Sequence, residues 1–354
     1  LSMMFDNSYQ YLSVIASQIR AFDKKTTVLL GGSSASTSYK TIIKEQNDID
    51  AICYGEGEMP FLQLMQSSNI HQFIEQHPSF VTRKKVLAGE ALQYGKLDDL
   101  DIVANLEYSY INLDNYKMEQ AFSPFCEAKD EVKQFFLITS RGCPFKCSFC
   151  MHSAHADKTV RYASVESIVK YVDKMVDEFG MNTLTIYDDQ LLLNTARAKQ
   201  LFKALIPYNL RVECPNGLTA MFIDDELAAL MREAGMDSVQ IAIESGSEFV
   251  VNELMNKPIK LSKVKTVVEH LRNNSFWVQA YFVNGMPGET DAHRQETLNF
   301  INEVGLDWSS FSLAFPSTGS KLYDLCLKEG YIDANSGLGT VDNTNAYVIK
   351  NPLY

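Results

Sequence analysis

Cys143, Cys147 and Cys150 form a C-x3-C-x2-C array within Ser140-Arg141-Gly142-Cys143-Pro144-Phe145-Lys146-Cys147-Ser148-Phe149-Cys150. Three thiolates this close on one loop can wrap a compact iron–sulfur cluster. A four-iron cluster takes four ligands, and no fourth cysteine lies nearby. One iron would therefore be open to a ligand from outside the protein. Zinc is the other chemistry that suits clustered thiols, and its structural sites close with four protein ligands. His152 and His155 could complete such a set. The array follows a compact apolar strand, Phe135 to Ile138, whereas structural zinc usually staples small, loop-rich modules.

The remaining cysteines, Cys53, Cys126, Cys214 and Cys326, are isolated and read as small buried hydrophobes. Seven cysteines in 354 residues are too few and too scattered for a disulfide scaffold, and their odd number rules out complete pairing. Clustered thiols without a visible secretory signal predict a reducing, cytoplasmic setting. Lys+Arg of 32 against Asp+Glu of 44 gives a formal net charge of −12. That balance argues against general binding to nucleic acid or to an anionic membrane. No run of 18 apolar residues occurs, so no membrane-spanning helix is expected. At 46% hydrophobic and 21% charged residues, the chain has ample material for a large core.

The cysteine array opens a repeated pattern. Strands are expected at Phe135–Ile138, Leu184–Tyr187, Leu210–Cys214, Val239–Ile243, Val278–Val283 and Trp308–Leu313, with helical segments between them. Ser164 should cap the first helix and Gly180 should end it; Asp224 and Gly235 bracket a later one. Six βα units over 135–330 imply a parallel sheet covered by helices. The fold class is α/β, a partial (β/α)6 TIM-like barrel, with an open doubly wound sheet also compatible with the pattern. Either way, ligands gather at the C-terminal ends of the strands.

Three loops at those ends carry suitable residues. Tyr187-Asp188-Asp189 follows the second strand, and its carboxylates can pair with an ammonium group. Glu244-Ser245-Gly246-Ser247 follows the fourth, where Gly246 would let a ligand approach the backbone. Asn284-Gly285-Met286-Pro287-Gly288-Glu289-Thr290 follows the fifth. Each loop alone also reads as an ordinary acidic corner or tight turn; three such loops above a cysteine triad are hard to explain by turns alone.

The segment 135–330 resembles the radical S-adenosylmethionine (radical SAM) superfamily. Cys143, Cys147 and Cys150 match its cluster motif, with aromatic Phe149 before the last cysteine. The resemblance implies a 4Fe-4S cluster whose open iron is chelated by the methionine part of SAM. Reductive cleavage of SAM then gives methionine and a 5′-deoxyadenosyl radical. It further implies SAM contacts from Tyr187, Asp188 and Asp189, where the superfamily often has Gly-Gly-Glu. Glu244, Ser245 and Gly246 would serve ribose and methionine, and Asn284, Gly285 and Gly288 would support adenine.

The N-terminal residues alternate helix and strand. A helix over Ser8–Phe22 should bury Tyr11, Leu12, Ile15, Ile19 and Phe22. Strands at Thr26–Leu30 and Ile49–Tyr54 run into Gly31-Gly32-Ser33 and Gly55-Glu56-Gly57-Glu58. These segments resemble the later part of a Rossmann-like cobalamin (B12)-binding domain that precedes the radical SAM core in a large subfamily. Gly31, Gly32, Ser33, Gly55 and Glu56 are the implied cobalamin contacts. The chain starts at Leu1, and the first strand and histidine loop of that domain are not seen in it. Cobalamin binding by residues 1–354 is therefore expected to be weak until the N-terminus is restored. The expected domains are 1–66, partial cobalamin-binding; 67–134, linker; 135–330, radical SAM core; and 331–354, unassigned.

These resemblances imply a cobalamin-dependent methyltransferase acting on an unactivated carbon of a small-molecule or peptide substrate. A reducing donor such as flavodoxin or ferredoxin would supply the electron. The alternatives are a cobalamin-independent radical SAM oxidoreductase or cyclase, and a non-catalytic iron–sulfur or zinc protein.

Overall fold

The computed structural model describes residues 1–113, 132–152, 158–332 and 349. Cys126, His155 and nearly all of the 331–354 extension lie outside them. The chain divides into two compact units. The first comprises Leu1–Asp98, Lys146–Ala156 and Ala314–Tyr354, and the second Asp99–Phe145 and Asp157–Leu313. No helix among the described residues is long and apolar enough to cross a membrane.

The first unit is built on a small, mainly parallel sheet. β1 (Leu29–Leu30) pairs in parallel with β2 (Ala51–Cys53), and β2 pairs antiparallel with β3 (Phe80–Val81). The opening residues extend this sheet. Ser2 bridges Gly31 in parallel, and Met3 N donates to Gly31 O at 2.8 Å. Around it lie α1 (Tyr9–Phe22), α2 (Ser33–Thr37), α3 (Tyr39–Glu45), α4 (Glu58–Gln66), α5 (Ile70–Gln76) and α6 (Arg83–Ala88). Tyr9, Leu12 and Ala16 of α1 pack against Leu30, Ile42, Ile43 and Ile52, with Ile19 alongside. The buried face of α1 is thus rotated from the expected one. Tyr11, Ile15 and Phe22 are exposed, Phe22 at 94%. Small Ala16 lies flat against the core, where a count of large apolar residues gives it no weight.

The first part of the expected linker is folded. Residues 67–98 supply α5, β3 and α6, and Gly95 bridges Gly55. Buried Lys85 ties this region together, its Nζ donating to the carbonyls of Ile74, His77 and Phe80 at 2.7–3.0 Å. Elements of two to seven residues are too short for periodicity to reveal. The next stretch belongs to the second unit. Asp101 accepts from Ser164 N and Oγ at 2.6 and 2.8 Å, and Tyr108 stacks edge-on with Phe135.

The second unit contains the six expected parallel strands. After the first of them, β4 (Gln134–Leu137), a short antiparallel pair intervenes, β5 (Ser140–Arg141) with β6 (Arg161–Tyr162). β4, β7 (Thr183–Ile186) and β8 (Arg211–Glu213) lie side by side in that order. β9 (Ser238–Glu244), β10 (Trp277–Asn284) and β11 (Trp308–Leu313) do the same. A parallel bridge from Leu218 to Ile241 joins the two sets. The parallel strands therefore neighbour one another in sequence order throughout, without the order reversal of a doubly wound sheet. This is the arrangement of a partial TIM-like barrel. The covering helices are α7 (Val165–Phe179), α8 (Thr195–Leu205), α9 (Asp225–Glu233), α10 (Leu261–Asn273) and α11 (Asp291–Val304). Their ends follow the expected chemistry. Ser164 and Asp224 accept capping hydrogen bonds from Ser167 N and Leu227 N, and Gly180 ends α7 in the left-handed conformation. Along the strands, Val239, Ile241 and Ile243 share burial with Val278, Ala280 and Phe282, while Gln240 pairs with Gln279 on the opposite face.

Candidate functional site: the cysteine loop and the strand-end loops

The cysteine loop is closed at its base by the short antiparallel ladder of β5 and β6, and Ala163 N donates to Thr139 O at 2.9 Å. Gly142 follows with φ of +100°, a left-handed turn that a Cβ would strain, and Cys143 comes next. Cys143, Cys147 and Cys150 are all half-buried, and none is in a disulfide. Cys150 N donates to Cys147 O at 3.3 Å, a turn that keeps the last two thiols on adjacent steps of the chain. Within the first unit, Leu322 N in α12 (Lys321–Lys328) donates to Ser148 O at 2.9 Å and anchors the loop between those cysteines.

Among the described residues, no three His, Cys, Asp or Glu side chains are grouped to hold one metal ion. A closed zinc site would need four ligands converging on one ion. An iron–sulfur cluster asks for a different layout, because each thiolate bonds its own iron. Three half-buried thiols on one loop, with no disulfide and soft donor atoms throughout, suit such a cluster. The other described thiols do not. Burial pushes Cys53 and Cys326 up to about 11 and raises Cys214 further, so they stay protonated at neutral pH.

Parallel strands place the loops after β7, β9 and β10 at one end of the sheet. After β7, Tyr187 and Asp189 are half-buried, and Tyr187 packs on Phe136 with ring centroids 5.5 Å apart. Asp188, expected at SAM's ammonium group, has other partners. It is 5% exposed and accepts from Thr139 N and Thr139 Oγ1 at 2.5 Å and from Ser140 Oγ at 2.7 Å. Burial raises its pKa, while these hydrogen bonds pull it back.

After β9 the backbone is irregular. The register shifts opposite Tyr281 and Phe282, and Glu244 is left-handed at φ +73°. Bulges and strained residues of this kind re-aim a side chain. Here the Glu244 carboxylate meets Lys257 Nζ at 2.9 Å, with the two side chains only 10% and 15% exposed. Lys257 follows a π-helical turn, Val250–Leu254. It carries no motif, and sequence reasoning missed it; a cation closing a π-helical turn beside a strand end is the available signal. Gly246 was expected to admit a ligand. The structure gives it another neighbour, since a Cβ there would lie 2.5 Å from Phe300 Cβ and 2.8 Å from Thr297 Cα. The turn is tied to α11, with Gly246 N donating to Thr297 Oγ1 at 3.0 Å and Ser245 Oγ within 3.0 Å of the same atom.

After β10, Gly285 and Gly288 are left-handed, and a Cβ on Gly285 would meet nothing within 4 Å. Asn284 and Gly285 are half-buried and Gly288 is exposed. Fully buried Glu289 shapes this loop, its Oε2 accepting from Gly285 N at 2.5 Å and Met286 N at 3.1 Å.

Residues 137–301 match the model of the radical SAM superfamily. Over these residues the chain is similar to radical SAM domains. Such domains work with a 4Fe-4S cluster and SAM, and the matched span holds the cysteine triad and all three strand-end loops. Over 96% of its length the chain is 27% identical to cytidylyl-2-hydroxyethylphosphonate methyltransferase of Streptomyces wedmorensis, spanning 68% of that relative. The radical SAM methyltransferase TsrM from Kitasatospora setae, solved with tryptophan and a SAM analogue, superposes with a TM-score of 0.71. Identity to it is 16%, and the match covers 92% of this chain and 64% of TsrM. The cobalamin-dependent SAM radical enzyme OxsB, solved with aqua-cobalamin and SAM, gives a TM-score of 0.63 at 17% identity. That match covers 93% of this chain and 46% of OxsB. At these identities the two structures bear on the fold, and the chain spans under two thirds of either.

In the first unit, the expected cobalamin loops end neighbouring parallel strands, Gly31 after β1 and Gly55 two residues after β2. Several of their residues have internal duties. A Cβ on Gly32 would lie 2.4 Å from Met3 O, and one on Gly55 would lie 2.6 Å from Gly95 N and O. Ser33 Oγ donates to Met4 O at 2.9 Å, and Glu56 Oε2 accepts from Leu97 N at 2.8 Å. Gly31 differs, because a Cβ placed there would meet nothing within 4 Å.

Proposed function

We propose that this radical SAM enzyme is the core of a cobalamin-dependent methyltransferase. The observation that carries this reading is the presence, in one chain, of a three-cysteine loop after the first strand of a parallel barrel-like sheet and of a small N-terminal parallel sheet whose strands end at Gly31 and Gly55. The similarity to a methyltransferase along 96% of the chain supports it.

Cys143, Cys147 and Cys150 are the residues that would hold the cluster. When bound, the cluster supplies the electron for SAM cleavage, and cobalamin is the methyl carrier. The chain's own residues bind and orient. Glu244, aimed by its left-handed backbone, and Asp189 offer carboxylates to the ammonium and hydroxyl groups of SAM. Lys257 balances Glu244 and offers a cation to a carboxylate. The Gly285–Gly288 loop, shaped by Glu289, presents open backbone to a flat base. Gly31 leaves room for a bulky nucleotide tail beside the backbone, and Ser33 and Ser34 line the same turn. The substrate is a small molecule or peptide, and a reducing protein donates the electron.

Anaerobic reconstitution followed by SAM and a strong reductant tests the enzyme. 5′-Deoxyadenosine is expected, and its absence from protein with an intact cluster would point to a binding role. Titration with hydroxocobalamin tests the carrier. A chain that makes 5′-deoxyadenosine but leaves the cobalamin spectrum unchanged would instead be a cobalamin-independent oxidoreductase or cyclase.

A further inference from the structure

Asp188 and Arg197 lie outside the cysteine motif, yet they grip the same residue from opposite sides. Thr139 stands four residues ahead of Cys143. Its N–H and Oγ1 donate to Asp188, which also takes the Ser140 hydroxyl. Its carbonyl accepts from Arg197 Nη2 at 3.0 Å. Arg197 reaches the returning arm of the loop as well. Its Nε and Nη2 donate to Ala163 O at 3.0 and 2.8 Å, and its guanidinium lies 5.0 Å above the Tyr162 ring. Both ends of the cysteine loop are thereby fastened to the chain that follows β7, through Asp188 directly and through Arg197 in the first turn of α8.

Burial makes this a costly arrangement. Asp188 is 5% exposed and Arg197 9%, and Arg197 Nη1 has no hydrogen-bond partner among the described residues. Apolar side chains would fill the same space with a smaller desolvation penalty. What apolar residues would not provide is a fixed backbone. Charge-assisted bonds to one N–H, two hydroxyls and two carbonyls hold the base of the loop in a single conformation.

We propose that Asp188 and Arg197 form a positioning clamp that fixes where Cys143 leaves the sheet and so governs how firmly the cysteine loop retains its cluster. The clamp rests on the reading of Cys143, Cys147 and Cys150 as cluster ligands. It assigns Asp188 to the loop and not to SAM.

The test uses the full chain, reconstituted anaerobically, with Asp188→Ala, Asp188→Asn and Arg197→Met. Iron release to a chelator is followed by absorbance. In parallel, the alkylation rate of Cys143 in the apoprotein is measured by mass spectrometry. Val172→Ala serves as comparison, opening a cavity at a fully buried core position of α7. Asp188→Ala and Arg197→Met are expected to release iron at least tenfold faster and to alter Cys143 alkylation severalfold. Asp188→Asn should fall between, since its amide oxygen still accepts from Thr139 N. Val172→Ala should lower thermal stability with both rates unchanged. Wild-type rates in the Asp188 and Arg197 variants would overturn the clamp, as would equal acceleration by Val172→Ala. Should Asp188→Ala fail to fold, Asp188→Asn and Arg197→Lys carry the same comparison. If even the wild-type chain takes up no cluster, the ligand reading fails, and the apoprotein alkylation rates still decide the clamp.

Discussion

Glu244 and Lys257 form a 2.9 Å ion pair at the end of the fourth barrel strand, and Glu244 reaches it from a left-handed backbone at φ +73°. Non-glycine residues adopt that conformation at a cost, and such strain gathers at functional sites. The two side chains are largely shielded from solvent, so the pair is a fixed feature of the strand end. Glu244→Gln is expected to leave the fold intact and to weaken SAM binding by about 1–3 kcal/mol, the scale of a charged hydrogen bond. Equilibrium titration of the reconstituted protein measures it. Unchanged affinity would take Glu244 off the site.

The described thiols separate by their place in the fold, three on one loop and three scattered, and that sets a second expectation. Cys143, Cys147 and Cys150 are half-buried in a loop, whereas desolvation holds Cys53, Cys214 and Cys326 protonated. Iron takes the thiolate, and the raised thiols of Cys53, Cys214 and Cys326 are poorer ligands at neutral pH. Alanine at any triad position should abolish cluster absorbance and 5′-deoxyadenosine formation. Alanine at Cys53 or Cys326 should spare both. Retention of iron and sulfide by the triple triad variant would refute the ligand set.

How much of this is legible in the sequence depends on distance along the chain. All six parallel strands of the second unit and the caps at Ser164, Asp224 and Gly180 can be read, because strand periodicity and capping are local. Asp188 reads as a ligand contact because its partners, Thr139 and Ser140, lie almost fifty residues away. Gly246 is ambiguous in the sequence for a related reason. A glycine that admits a ligand and one that admits the backbone of α11 look identical in sequence. The short elements between 67 and 98 fall below any periodic signal, and Lys257 has no motif around it.

The buried carboxyl of Glu289, bonded to the amides of Gly285 and Met286, sets a pH-dependent expectation. Burial raises its pKa above the ordinary 4.5, against the amides of Gly285 and Met286, which lower it. Its folded form binds the proton more tightly than the unfolded chain does. The resulting stabilisation is complete below about pH 4.5 and is lost as the pH climbs through the raised folded value. Glu289→Gln keeps an acceptor for both amides and removes the charge. Between about pH 4.5 and 7.5, urea midpoints of the wild type should fall further than those of the variant. Parallel changes would show that Glu289 does not titrate in this window.

The two glycines after β1 separate packing from ligand binding. Gly32 is left-handed at φ +107°, and a Cβ would lie 2.4 Å from the Met3 carbonyl oxygen, which is backbone and cannot turn aside. Gly32→Ala should therefore destabilise the first unit by about 1–3 kcal/mol, the usual cost of overpacking. Gly31 has no left-handed requirement, and a methyl group there meets nothing within 4 Å. Gly31→Leu should consequently fold with a wild-type melting temperature. If the open space beside Gly31 receives the tail of cobalamin, the same variant should bind hydroxocobalamin at least tenfold more weakly in spectroscopic titration. Full cobalamin affinity in a folded Gly31→Leu protein would mean that the turn faces solvent, and the cofactor would have to be sought elsewhere in the unit.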